Sequence, residues 1–375
     1  MNTVNRRTFM AGIGAAAALG ATDGAPSQRP WAERRNDMLQ EWLKLLGPFP
    51  EAAPPLDAEM TRIDDIQGIA CHRVTYQTEP DDRVPAYLLV PESATTDTPG
   101  PAMVCIHSTT RGAGKDQTVG LAGRAPGDPW PGPEQSRAYG LELARWGYVT
   151  LSIDLICDGE RVPEGYGIYD THAFYERHPE WSAVGKNTWD VMRGVDFLDT
   201  LDFVDHARIG CIGHSLGGHS TVFAAAFDPR IAAAVSNGGQ LSWVRDQDHW
   251  SRPPANTGPV ASYIYLPWFR PYIEDPAKPV PVDFEHLMML VAPRPLLIMC
   301  TEDEAARDHI ADKTAAARAV YRQQGVGAPA RNAGDRLTLF TYPGAHNYPP
   351  VAKRFSFAWL DRWMNHTPGV QAIWP

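Results

Sequence analysis

The chain has 375 residues, 43% of them hydrophobic, with a formal net charge of -10 and a pI near 5.6. That length and apolar content suffice for one large α/β domain with a full core, or for two small ones. The acidic balance argues against nucleic acid or an anionic membrane surface as a partner.

The first element in chain order is a leader rather than part of the fold. Asn5-Arg6-Arg7-Thr8-Phe9-Met10 precedes an uncharged run rich in Ala and Gly from residue 11 to 21. A twin arginine, an aromatic two residues on and a weakly apolar stretch resemble a twin-arginine export signal. The run is too short for a membrane span, which needs about 20 apolar residues. Residues 1–25 are therefore expected to be removed on export of the folded protein to the periplasm or beyond, with 26–64 as an N-terminal extension and 65–375 as the main domain.

Past residue 65, strand-like and helix-like segments alternate, which predicts a mostly parallel sheet with helices on both faces. Residues 84–91 (VPAYLLVP) read as an early antiparallel strand near an edge, given their prolines. Residues 102–107 read as a buried strand, 111–133 as a Gly/Pro-rich loop and 134–146 as a helix. Residues 148–154 follow as a strand, 187–201 as a helix, 209–212 as a short strand and 221–227 as a helix body. Strands at 231–235, 295–300 and 337–342 and a helix at 350–364 complete the set. Residues 240–282 break this rhythm. Prolines interleave there with Trp243, Trp250, Tyr263, Tyr265, Trp268, Phe269 and Tyr272, and neither sheet nor helix periodicity holds. The segment is expected to be a folded, aromatic-rich insertion after the sixth strand, over the carboxyl edge of the sheet where such folds bind ligands. Cysteines 71, 105, 157, 211 and 300 show no CxxC pair, and they read as small buried hydrophobes rather than disulfides or metal ligands.

The chemistry is carried by Gly213-His214-Ser215-Leu216-Gly217. A G-x-S-x-G match acquires meaning where it follows a strand and opens a helix, because that tight turn holds the serine hydroxyl clear of the sheet. A serine needs a base to take its proton. His346, in YPGAHNY after the last strand and before the last helix, is the histidine placed to serve. The imidazole needs a carboxylate to fix its tautomer, and the loop after residue 300 offers Glu302, Asp303, Glu304 and Asp308. Glu304 is preferred, with Asp303 and Asp308 behind it. An oxyanion would require two N–H donors: Leu216, directly after the nucleophile, and Thr109 in the turn His107-Ser108-Thr109-Thr110. Trp243, Trp250 and Trp268 read either as platforms for sugar rings or as core of the insertion. Arg245 and Arg270 read as holders of a substrate carboxylate or as surface charges.

Together, IHSTTRGAGKD, AYGLELARWGYVTLSID, WDVMRGVDFLDTL, RIGCIGHSLGGHS, LVAPRPLL and YPGAHNYPP make residues 65 to 365 resemble α/β-hydrolases of the dienelactone hydrolase and acetyl xylan esterase-like group. The resemblance implies a cofactor-free serine esterase acting on a small-molecule or carbohydrate ester, with Ser215 as nucleophile, His346 as base and an acid at the position of Glu304, where the family usually has Asp. Dienelactone hydrolases proper use cysteine as nucleophile, so their substrate is not implied. The arginine that marks glucuronoyl esterases is replaced by Leu216. Two other functions compete: a prolyl-oligopeptidase-like peptidase, for whose propeller the first 60 or so residues leave no room, and a silent carbohydrate-binding module, which would need a broken triad. Metal hydrolysis is disfavoured because no HExxH or clustered His/Asp spacing is present.

Overall fold

The computed structural model describes residues 29–123, 137–239, 266–275, 277–324 and 336–368. Its centre is built from runs of apolar residues such as GPAMVCI and LLIMCT, whose every side chain is buried. Strands buried on both faces belong inside a parallel sheet. The strands are β1 (Glu59–Arg62), β2 (Ala70–Glu79), β3 (Asp82–Val90), β4 (Gly100–Ile106), β5 (Val149–Ile153), β6 (Val204–His214), β7 (Ala234–Asn237), β8 (Leu296–Thr301) and β9 (Leu337–Tyr342). They form one sheet in the order β1-β2-β3-β5-β4-β6-β7-β8-β9. β1, β2 and β3 run antiparallel, and everything from β5 to β9 is parallel.

The expected strand over 84–91 is β3, and it is antiparallel as read, but it lies third from the edge. Two strands pair outside it. The outermost, β1 (EMTR), is fully exposed and carries no apolar alternation by which a sequence could announce it. With both β1 and β2 ahead of β3, residue 240 follows the seventh strand, β7, and not a sixth.

Helices Trp31–Leu46, Ala183–Leu198, Leu216–Phe227, Phe284–Val291 and Ile310–Gln324 pack on one face, around the larger core cluster. Tyr139–Arg145 and Pro350–Trp363 cover the other. The helix read over 187–201 starts four residues earlier because Ser182 caps it, its hydroxyl accepting from the Gly185 N–H at 2.9 Å. Trp31–Leu46 lies within the expected N-terminal extension, yet it docks on the core. Trp42 is fully buried and meets Phe223 edge to face, with ring centroids 5.1 Å apart. Phe49 reaches Trp189 and Phe227. All five cysteines are buried thiols outside any disulfide. Among the described residues, no helix is long and apolar enough to cross a membrane.

Candidate active site

Parallel register brings the relevant turns to one edge of the sheet. Ile106 lies opposite Gly213, His214 opposite Asn237, Asn237 opposite Met299 and Thr301 opposite Tyr342. The segments that leave β4, β6, β7, β8 and β9 therefore start side by side.

Ser215 sits between β6 and the helix Leu216–Phe227 with φ 56° and ψ -120°. A non-glycine residue held there stores strain of order 1–3 kcal/mol, which the surrounding packing must sustain. The flanking glycines make the turn possible. A Cβ at Gly217 would lie 1.9 Å from the Ile106 carbonyl oxygen, and one at Gly213 would lie 2.2 Å from that of Gly217. The Ser215 N–H donates to the Asn237 carbonyl at 2.8 Å, tying the turn to β7.

His346 follows β9, and its Nε2 lies 2.8 Å from Ser215 Oγ. Its Nδ1 is hydrogen-bonded to Glu304 Oε1. Since Glu304 accepts, Nδ1 carries the proton and Nε2 is left as the acceptor for the serine hydroxyl. The imidazole side chain is 45% exposed.

The local sequence explains why Glu304 is the acid that faces inward. Thr301-Glu302-Asp303-Glu304 forms a capping box at the start of helix Glu302–Arg307. The Thr301 hydroxyl accepts from the Glu304 N–H at 3.2 Å, and the Thr301 N–H donates to Glu304 Oε2 at 2.9 Å. Folded back in this way, the side chain turns Oε1 toward His346. Burial raises the Glu304 carboxyl, but the hydrogen bonds from His346 and from the Thr301 N–H outweigh it and bring it down to about 2. Asp303 is exposed. Asp308 is buried and pairs with Arg307 at 2.9 Å. The structure joins neither to His346.

A depressed carboxylate contributes stability that is fully present above its ordinary value and is lost as the pH falls through the folded one. For Glu304 that interval runs from about 4.5 down to about 2. The difference in unfolding free energy between wild type and Glu304→Gln is thus expected to shrink as the pH falls below about 4.5, as followed by urea titration at each pH.

Several contributors were not singled out from the sequence. His214 is fully buried, and its ring lies 4.7 Å from that of His346 at 35°. Burial, then the neighbouring His346 and Arg137, push it down to about 3, so it is a neutral packing surface for the His346 imidazole. Asn237 donates from Nδ2 to His214 Nδ1 at 2.9 Å and to the Asn347 carbonyl at 3.0 Å, and it accepts from the Tyr342 hydroxyl at 2.7 Å. This network holds the turn that carries His346. A buried Asn at the end of a strand beside the serine motif is the only mark it leaves in the sequence.

Of the two expected oxyanion donors, Leu216 is the first residue of its helix, where N–H groups have no intrahelical partner. Thr109 is exposed in the turn after β4. Trp268, on the short turn Pro267–Phe269, is exposed and borders a groove of about 400 Å³ with His172, Tyr175 and Glu176. It is thus a surface residue and not core. Arg270 is also exposed. Trp243, Trp250 and Arg245 lie outside the described residues, as do residues 1–28. Among the described residues no group of three or more His, Cys, Asp or Glu could hold a metal ion.

A family model described as glucuronyl esterase, fungi, matches residues 161–325, a span that holds Ser215 and Glu304 and ends before His346. A carbohydrate esterase, MZ0003, from an unknown prokaryotic organism is 32% identical over 155 residues, 40% of this chain and 35% of its own length. A Bacillus subtilis protein assigned as a hydrolase, YtaP, is 25% identical over 340 residues, 89% of this chain and 99% of its own. A 4-O-methyl-glucuronoyl methylesterase of Wolfiporia cocos is 26% identical over 221 residues, 51% and 50% of the two chains. The chain therefore spans a third to a half of these two esterases and nearly all of the Bacillus protein. Among solved structures, a glucuronoyl esterase from Solibacter usitatus superposes with a TM-score of 0.66 at 22% identity, covering 94% of this chain and 98% of that one. A Bacteroides fragilis protein assigned as an acetyl xylan esterase gives 0.59 at 19%, covering 83% and 75%. These likenesses establish an α/β-hydrolase fold.

Proposed function

We propose that this chain is a serine carboxylic-ester hydrolase acting on an ester carried by a carbohydrate, through an acyl-enzyme and without a cofactor. The observation that carries the reading is the unbroken relay from Glu304 Oε1 through both His346 nitrogens to Ser215 Oγ. Ser215 Oγ attacks the ester carbonyl carbon while His346 Nε2 takes its proton. The carbonyl electron pair moves onto oxygen, where the N–H groups of Leu216 and Thr109 receive it. Collapse of this intermediate breaks the bond to the alcohol, which leaves with the proton from Nε2. Water then repeats the sequence and releases the acid.

The carbohydrate part of the reading is supported by what the similar proteins are named for and by exposed Trp268, an aromatic face beside the groove. Leu216 stands where an arginine marks glucuronoyl esterases, so the reading extends to carbohydrate esters in general. Fluorophosphonate labelling of the purified protein is expected to modify Ser215, as located by peptide mapping. Release of acid from acetylated xylan or an alkyl glucuronate then identifies the ester. An unlabelled, folded protein would rule the reading out.

We also propose export by the twin-arginine route, supported by Asn5-Arg6-Arg7-Thr8-Phe9 and the uncharged run after it. Arg6→Lys with Arg7→Lys is expected to leave full-length precursor in the cytoplasm. Efficient export of that double variant, followed by cell fractionation, would point to another pathway.

A further inference from the structure

The hydrolase reading needs a backbone N–H aimed at the developing oxyanion from the turn after β4, and the buried residues beneath that turn explain how one is held. Ser108 accepts at its carbonyl from His107 Nδ1, 2.7 Å away. The His107 tautomer follows from its other nitrogen: Nε2 accepts the Leu155 N–H at 3.0 Å, so the proton is on Nδ1. In a trans peptide the carbonyl and the next N–H point in opposite directions. Holding the Ser108 carbonyl on His107 thus turns the Thr109 N–H away from the core.

The residue on the far side of Thr109 is fixed as firmly. Asp158 is fully buried and accepts four hydrogen bonds: from Thr110 Oγ1, from the Gly112 N–H at 3.0 Å, from the Gly159 N–H at 2.8 Å and from the Tyr169 hydroxyl at 2.5 Å. The Tyr169 oxygen in turn accepts the Thr110 N–H at 2.7 Å. Both donors of Thr110 therefore end on one carboxylate, directly or through one phenol. The same carboxylate lies 3.7 Å from His107 Nδ1. The two residues that bracket the Ser108–Thr109 peptide converge on Asp158.

We infer that Asp158, acting through Tyr169 and Thr110, is a positioning residue of the reaction: it fixes the turn so that the Thr109 N–H meets the oxyanion. The inference rests on the serine-hydrolase reading and adds to it a buried residue far along the chain from any of the triad. It predicts a selective loss. An N–H that is present but misdirected weakens binding of the tetrahedral state and leaves ground-state binding alone. Complete loss of one oxyanion donor costs about 10²–10³ in kcat, and misaiming should cost a part of that.

The test compares wild type, Asp158→Asn and Tyr169→Phe on one neutral aryl acetate and on a matched pair of inhibitors, a trifluoromethyl ketone and the corresponding methyl ketone. The trifluoromethyl ketone adds Ser215 Oγ to give a hemiketal oxyanion, whereas the methyl ketone binds without that charge. The expected result is a fall in kcat of about 10²-fold for Asp158→Asn and about 10-fold for Tyr169→Phe, with KM within threefold. Trifluoromethyl ketone affinity should fall by the same factors, and methyl ketone affinity should hold. A general loosening of the fold would move both ketones together. Should Asp158→Asn fail to fold, Tyr169→Phe, which removes a single oxygen, decides the matter. Folded variants with wild-type kcat and wild-type trifluoromethyl ketone affinity overturn the inference alone. A wild type that neither hydrolyses the acetate nor binds the trifluoromethyl ketone overturns the hydrolase reading, and this inference with it.

Discussion

Ser215→Ala is expected to lower ester hydrolysis by at least about 10⁴-fold while leaving the fold in place. In the proposed reaction the hydroxyl bears the acyl group, and among the described residues no neighbouring side chain is placed to take over. His214 and His219, the neighbours that carry a ring nitrogen, are both buried. Ser220 donates its hydroxyl to the Leu216 carbonyl, inside the helix. The folded state should tolerate the change well, because the residue is replaced by a smaller one at an accessible position. The strained backbone at φ 56° is common to Ser and Ala, so the variant inherits the strain without aggravating it. Steady-state rates on an aryl acetate, with circular dichroism and thermal unfolding alongside, check both halves. Near-normal activity in a folded variant would end the serine-hydrolase reading.

The second large effect belongs to Glu304. In Glu304→Gln the amide can keep its oxygen on the Thr301 N–H, which leaves the NH₂ group facing His346 Nδ1. An NH₂ donates, so Nδ1 must accept and the ring proton moves to Nε2. The imidazole then presents a donor to Ser215 Oγ where the reaction needs an acceptor. Loss of the correct tautomer and of the charge that stabilises the imidazolium is expected to lower kcat by roughly 10⁴-fold. Asp303→Asn changes an exposed side chain and should leave kcat near wild type. Asp308→Asn removes the charge that pairs with Arg307 and should act on stability more than on rate. The three variants, measured for kcat on one ester, separate the roles. If Glu304→Gln is the mildest, the acid is elsewhere.

These residues also show what a chain can and cannot reveal before it is folded. Ser215 and His346 are legible because each stands at a boundary between a strand and a helix, and such boundaries are written in glycines, prolines and changes of apolar period. Glu304 is legible through its register with the family that the chain resembles. The structure adds the physical reason, a capping box of Thr301 and Glu304 that turns this one acid of the four back toward the sheet. Asp158, Tyr169 and Asn237 carry no comparable signal. Their roles depend on hydrogen bonds between residues 11 to 110 positions apart, set by crossover connections that no local pattern encodes. The edge strand β1 was hidden for the opposite reason: all four of its side chains are exposed, and its pairing with β2 is a matter of backbone alone.

The helix Trp31–Leu46 has a practical consequence for anyone handling the protein. A chain shortened to begin at residue 65 would strip Trp42 from Phe223 and Phe49 from Trp189 and Phe227. Two of those uncovered rings belong to the helix that Ser215 opens. Truncating a buried Trp or Phe typically costs about 3–5 kcal/mol, a large share of the stability of an ordinary domain. The shortened chain would therefore be sticky as well as weak, with a greasy face on the helix that begins beside Ser215. Purification tags and fusion partners are better attached between residue 25, where the export signal is expected to end, and residue 29, leaving the whole helix Trp31–Leu46 to fold with the rest.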